Sequence, residues 1–297
     1  GTVPLDGPGL DVRAETNGIQ AALLEPLTRS HVAELQGTLK FSVAATGAVK
    51  GPTVRGDVTV AGVQFRFTPT GALFKNTNGA IHFDADRVDV ERFVIEDDDG
   101  HSLTLSGSSA GGGLGRLLEI VARSSGIHLL RNELGELALG VDVHGTGTVL
   151  APRIDGTVSV ERGRLEVDKV LAKLTKRTYA PGEEPPTQVS SEPGMFSEAS
   201  LDVRIRIPDN LVLRGRNMKP STGTVGLVGG NITAGGDLRG TKRAASSTTL
   251  LGSVQIVRGT YDFQGRRFQI ENGNEIRLRG EDMSDPSLHI TATRDIA

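Results

Sequence analysis

The stretch Gly47-Ala-Val-Lys-Gly-Pro52-Thr-Val-Arg-Gly56-Asp-Val58-Thr-Val60 decides the fold, because it returns. A second copy reads Gly147-Thr-Val-Leu-Ala-Pro152-Arg-Ile-Asp-Gly156-Thr-Val158-Ser-Val160. A third is Gly252-Ser-Val254-Gln-Ile256-Val-Arg-Gly259-Thr-Tyr261-Asp-Phe263. The anchor glycines Gly56, Gly156 and Gly252 stand 100 and 96 residues apart. A strand phrase repeated at a near-constant interval implies one extended architecture rather than a single domain built around one pocket.

Outward from these phrases, alternation with a period of two dominates. Val63-Gln-Phe65-Arg-Phe67, Ile81-His-Phe83, Leu201-Asp-Val203-Arg-Ile205-Arg-Ile207 and Phe268-Gln-Ile270 are examples. In a strand such residues share one side and their neighbours share the other. Those neighbours are charged (Asp202, Arg204, Arg206, Glu166, Arg277), so each sheet has one solvated and one apolar face. Asp98-Asp99-Gly100, Asn78-Gly79 and Asn272-Gly273 read as hairpin turns and argue for a meandering antiparallel sheet. The predicted fold is all-β: an elongated, curled antiparallel sheet forming a solenoid-like groove with an apolar interior. Two spacings break the pattern and predict short amphipathic helices. Leu114, Leu117, Leu118 and Val121 place one near 114–125, and Val167, Val170, Leu171 and Leu174 place another near 167–176. Residues 180–197, rich in Pro, Glu and Ser, read as a linker or loop between segments 1–179 and 198–297.

Composition narrows the function. The 39 glycines are about 13% of the chain against an average near 7%. Trp is absent and aromatics make up 4%, so the core is aliphatic. Lys and Arg number 33 against 36 Asp and Glu, a net charge of −3 that carries no nucleic-acid footprint. With no cysteine there is no disulfide framework, thiol nucleophile or thiolate metal site. No apolar run of about 18 residues spans a membrane. The chain begins at Gly1 and reads as a segment of a longer protein, with any anchor outside it.

Chemistry-bearing motifs fail on inspection. The histidines His31, His82, His101, His128, His144 and His289 are isolated from one another in sequence, and none forms an HxxxH pair. Gly236-Asp-Leu-Arg-Gly240-Thr-Lys242 lacks a Lys directly after its glycine, and Gly111 to Gly115 lacks the last glycine of GxGxxG. Glu96-Asp97-Asp98-Asp99-Gly100 lacks the alternating ligands of a calcium loop and reads as a charged hairpin tip. No catalytic set, metal site or cofactor is expected.

A one-faced sheet must cover its apolar side with a second sheet, close into a barrel, or stay open to an apolar ligand. Burial is worth about 0.8 kcal/mol per methylene, so a sixteen-carbon acyl chain gains on the order of 10 kcal/mol in such a trough. Some twenty strands at about 4.8 Å each would reach on the order of 100 Å, a length that suits a conduit.

The C-terminal third carries a specific likeness. Gly252-Ser-Val-Gln-Ile-Val-Arg-Gly259-Thr-Tyr-Asp-Phe-Gln-Gly265-Arg-Arg-Phe268-Gln-Ile270 leads through Gly273-Asn-Glu-Ile276 to Asp285-Pro286-Ser-Leu288-His-Ile290-Thr-Ala292. In order, these parts resemble the C-terminal region of the TamB family, the translocation and assembly module proteins within the AsmA-like group. The likeness is specific over 200–297 and diffuse over 37–180. It implies a periplasmic protein anchored to the inner membrane through an N-terminal segment absent from this chain. It also implies a curled β trough that carries phospholipids between membranes, with an outer-membrane barrel of the TamA/BamA type as partner. The family's segment beyond Pro-x-Leu-x-Ile-x-Ala, associated with docking to that barrel, is missing here.

The leading reading is therefore a lipid conduit and outer-membrane biogenesis factor, not an enzyme. Its groove is expected to be lined by Val58, Val60, Phe65, Phe67, Phe83, Val158, Val160, Leu165, Val203, Ile205, Val254, Ile256, Tyr261, Phe263, Phe268 and Ile270. The alternative is a structural β-solenoid or adhesin-like protein whose side chains fill its own interior. A β-helical carbohydrate enzyme is disfavoured by the absence of Trp and by only two tyrosines, Tyr179 and Tyr261.

Overall fold

The computed structural model describes residues 9–28, 31–48, 51–111, 117–148, 151–170, 198–215, 229–263, 266–271, 273–280 and 287–294. Among these, sixteen strands form a single sheet that does not close on itself. The first nine are β1 (Leu10–Gln20), β2 (Val32–Ala48), β3 (Gly51–Phe67), β4 (Ala72–Asp84), β5 (Arg87–Asp97), β6 (Ser102–Ala110), β7 (Leu117–Asn132), β8 (Gly135–Gly147) and β9 (Pro152–Glu166). The rest are β10 (Ser200–Gly215), β11 (Gly229–Lys242), β12 (Thr249–Phe263), β13 (Arg266–Ile270), β14 (Asn274–Arg279), β15 (Ser287–His289) and β16 (Ala292–Thr293). Strand order follows chain order from β1 to β13. β12 then pairs β13 with its last residues and β14 with its middle. A 3-10 turn, Ala21–Leu24, running into one helical turn, Glu25–Thr28, joins β1 to β2.

The sheet departs from a pure meander at one place. β9 and β10 are parallel, with Val158 beside Ile205 and Leu165 beside Leu213. Parallel neighbours need a crossover of a dozen or more residues. The segment between Glu166 and Ser200 supplies it, and contains the expected linker, which lies outside the described residues. Of the helix expected near 167–176, residues 167–170 are helical and the remainder lies outside the described residues.

The helix expected near 114–125 is corrected: from Leu117 onward this stretch is strand β7. The spacing of Leu117, Leu118 and Val121 fits a helix, but Leu118, Ile120 and Ala122 also alternate. Leu118, Ile120 and Ala122 face Ser109, Gly107 and Leu105 of β6, while Glu119, Val121 and Arg123 point the other way. A short apolar run with β-branched members cannot be assigned by period alone, and pairing with two neighbouring strands decides it. Asn78-Gly79 is likewise not a turn but lies inside β4, at a register break, where the Asn78 Oδ1 accepts from the Gly62 amide at 2.9 Å. A Cβ on Gly79 would collide with the Phe93 ring, so this glycine lets an aromatic lie across the strand.

The three anchor glycines share one geometry. Gly56, Gly156 and Gly252 have φ of 134°, 145° and 129°, an extended conformation of mirror hand open essentially to glycine. A Cβ at each would strike a carbonyl of the neighbouring strand, that of Ser42, Asp142 and Asp237 respectively. The repeated phrase thus encodes a repeated close approach of strands.

Candidate functional site: an apolar sheet face with a polar closed end

Residues opposite one another in the register share a face. One row runs Phe41, Val58, Ile81, Val90 across β2 to β5. Another runs Val141, Val158, Ile205, Leu238 across β8 to β11. The opposite face carries ions: Asp57, His82 and Asp89 stand side by side, and His82 Nδ1 is 2.7 Å from Asp57 Oδ1. Arg123 pairs with Asp142, Arg239 with Asp202 and Arg267 with Asp262 on exposed surface.

Among the described strands that are not sheet neighbours, the larger contacts are those of β7 with β4, β5 and β9. Among the described residues β7 lies over part of the apolar face, at the Phe65–Phe74–Ile127 patch, and most of the rows elsewhere stay half-buried. Of the expected lining residues, Val160, Val203, Ile256 and Ile270 are buried. Val58, Val60, Phe65, Phe67, Phe83, Val158, Leu165, Ile205, Val254, Tyr261 and Phe268 are half-buried. Of Phe263 the structure describes the backbone, paired with Arg266.

These residues gather in patches. Val160 packs with Ile207 and Leu238, and Ile205 and Val254 lie against that cluster. Phe65 and Phe67 pack against Ala72, Phe74 and Ile127, with the Phe65 and Phe74 rings 5.2 Å apart. Tyr261 and Phe268 stack across β12 and β13 at 5.8 Å. Val58, Val60 and Phe83 lie in rows with Leu39, Phe41 and Val88, away from both clusters. The expected lining set left out Phe41, Ile81, Val90, Leu139 and Leu238, which occupy the same rows, although Ile81 and Val90 stand in alternating runs. Leu39-Lys-Phe41-Ser-Val43 alternates and could have been found by the same rule.

At the Phe65–Phe74–Ile127 patch the sheet folds over itself. The Arg131 amide of β7 donates to Thr70 O in the β3–β4 turn at 3.1 Å. Beside this closure sits a polar cluster that the sequence reading treated as separate pieces. Asp97, whose side chain is wholly buried, closes the β5–β6 tip: its Oδ1 accepts from the Asp99 amide at 3.0 Å and the His101 amide at 2.8 Å. Its Oδ2 accepts from the His128 amide at 3.0 Å and lies 2.8 Å from His128 Nδ1 and 3.2 Å from His101 Nδ1. Burial opposes its ionisation, but the hydrogen bonds from the His128 amide and ring and the His101 and Asp99 amides outweigh that and bring the carboxyl down to about 2. Arg131 bonds Asp98 at 2.6 Å, Asp99 at 2.8 Å and Glu136 at 3.2 Å. Its guanidinium, through those carboxylates, is driven further up from an already high range, and it holds Glu136 below the ordinary glutamate range. Asp97, His101 and His128 each offer a donor atom within 4.8 Å of the others'. Residue 128 is 27 positions beyond 101, so only the β5–β6–β7 meander brings the two rings together.

The family profile described as TamB C-terminal domain matches residues 91–297, more than two thirds of the chain. The chain belongs to the TamB family. No curated protein and no solved structure matches it. TamB-family membership carries a role in outer-membrane protein assembly, one that is not enzymatic. TamB proteins belong to the cell envelope and work with a TamA-type partner. Among the described residues of this TamB chain no helix is long and apolar enough to cross a membrane.

Proposed function

We propose that this TamB segment holds phospholipid acyl chains along its apolar face, as a stretch of a periplasmic conduit between the inner and outer membranes. One observation carries the reading: among the described residues, rows of Val, Ile, Leu and Phe stay half-buried along the sheet. Acyl chains are the occupant whose chemistry such a face fits, since it offers dispersion contact and few polar groups. The gain of about 0.8 kcal/mol per methylene accumulates along a tail without selecting a headgroup. The ionic outer face keeps the sheet wetted from behind. Anchorage to the inner membrane through a preceding segment, and docking to an outer-membrane barrel through a following one, complete the reading by analogy with the family.

The test is native mass spectrometry and lipid extraction of the segment purified from bacterial membranes in mild detergent. Phospholipid above a matched soluble control supports the reading. Val158→Asp and Ile205→Asp, in one row of the face, should each remove most bound lipid while leaving the circular dichroism spectrum unchanged. A lipid-free, stable protein, or Asp variants that simply unfold, would establish the self-filled solenoid in its place.

A further inference from the structure

We propose that Asp97, His101 and His128, with water completing the shell, form a zinc-class divalent metal site that fastens the closed end of the sheet. The protein donors are Asp97 Oδ2, His101 Nδ1 and His128 Nδ1. Bonds of about 2.0–2.1 Å around a tetrahedral zinc place donors about 3.3 Å apart. The corresponding distances here are 3.2 Å from His101 Nδ1 to Asp97 Oδ2 and 2.8 Å from His128 Nδ1 to Asp97 Oδ2. Two imidazoles and a carboxylate suit zinc better than calcium or magnesium, which favour all-oxygen shells.

Two further observations point to a cation. The first is charge. Asp97, Asp98, Asp99 and Glu136 converge on this end, and Arg131 is the guanidinium bonded to the last three. Asp97, fully buried, has ion-pair contacts only with the two imidazoles among the described residues. A buried carboxylate needs a compensating charge, and a divalent ion between the rings supplies it. The second is an orphaned atom. His128 is 2% exposed, yet its Nε2 makes no hydrogen bond, although Glu136 Oε1 lies 3.2 Å away. A metal on Nδ1 places the ring proton on Nε2 and turns that contact into the carboxylate–histidine–metal relay typical of such sites. Metal bonds would replace the two ring contacts to Asp97 Oδ2, whereas the amide bonds that shape the β5–β6 tip stay intact.

The ligands come from the β5–β6 tip and from β7, so the ion would tie the tip to the strand that folds over the β3–β4 turn. The experiment titrates zinc chloride into chelator-stripped protein by calorimetry, then repeats the titration with cobalt(II), read by its visible absorption. The expected result is one equivalent of zinc, intense four-coordinate cobalt bands and a melting temperature that rises with zinc. His101→Ala alters a partly exposed ring, so it leaves the fold intact; it should weaken zinc at least about tenfold and abolish the cobalt bands. Glu136→Gln should weaken it about tenfold through the relay. Absence of zinc binding, or binding unchanged in His101→Ala, would overturn the site.

Discussion

At Gly156 the chain takes φ 145° with the Asp142 carbonyl packed where a Cβ would go. Gly156→Ala should therefore cost about 1–3 kcal/mol, read as a fall in urea midpoint without a change in slope. Gly145→Ala is the control. Its φ is ordinary and an added Cβ would meet Ile120 at 3.8 Å, so it should be neutral or stabilise by up to about 1 kcal/mol through the unfolded chain. The same scale governs His82. Its hydrogen bond to Asp57 raises its pKa from the ordinary value near 6.5. Any contribution to stability is then complete below that value and is lost as pH rises through the higher folded value. A histidine NMR titration should show a midpoint above 6.5 that returns toward it in Asp57→Asn; an unshifted midpoint in the parent would show the pair is not formed in solution.

Among elements, the parallel seam between β9 and β10 is the most exacting. Register shifts between Arg206 and Leu211, where Pro208 has no amide to offer and Asp209 takes φ 50°. Asn210 bridges the break: its Nδ2 donates to Val160 O at 2.6 Å and Glu161 O at 2.9 Å. Asn210→Ala should cost about 1–2 kcal/mol and speed hydrogen exchange on both sides of the seam. Exchange unchanged from the parent would mean that water replaces the bridge without loss. The alternation of Leu201 to Ile207 made β10 legible, but nothing in it announces a parallel neighbour, because pairing direction depends on the connection. The misread helix near 114–125 has the same origin, since Leu117, Leu118 and Val121 keep a helical spacing while Leu118, Ile120 and Ala122 alternate, and β6 and β8 choose between the two. The apolar rows were legible for a converse reason: one face must be shed from water whatever the partner strand. The Asp97–His101–His128 cluster was not, because its members are joined by a three-strand meander rather than by spacing.

Taken whole, the molecule is a sheet whose stability is distributed along its length. A ligand that binds the folded face and not the unfolded chain stabilises by mass action, about 2.7 kcal/mol at a hundredfold excess over its dissociation constant. Adding phospholipid to delipidated protein should thus raise the melting temperature in a concentration-dependent way, and the rise should vanish in Ile205→Asp; an equal rise in that variant would place the lipid elsewhere. The neighbour-on-neighbour order has a consequence for how the chain is made. From β1 to β9 every strand can add to the one just finished, so growth proceeds as the polypeptide emerges. At the seam that economy fails: β10 must wait until the whole crossover has passed, then return to a strand already laid down. Strand order thus predicts a late step at this seam, in which the edge of β9 waits for β10.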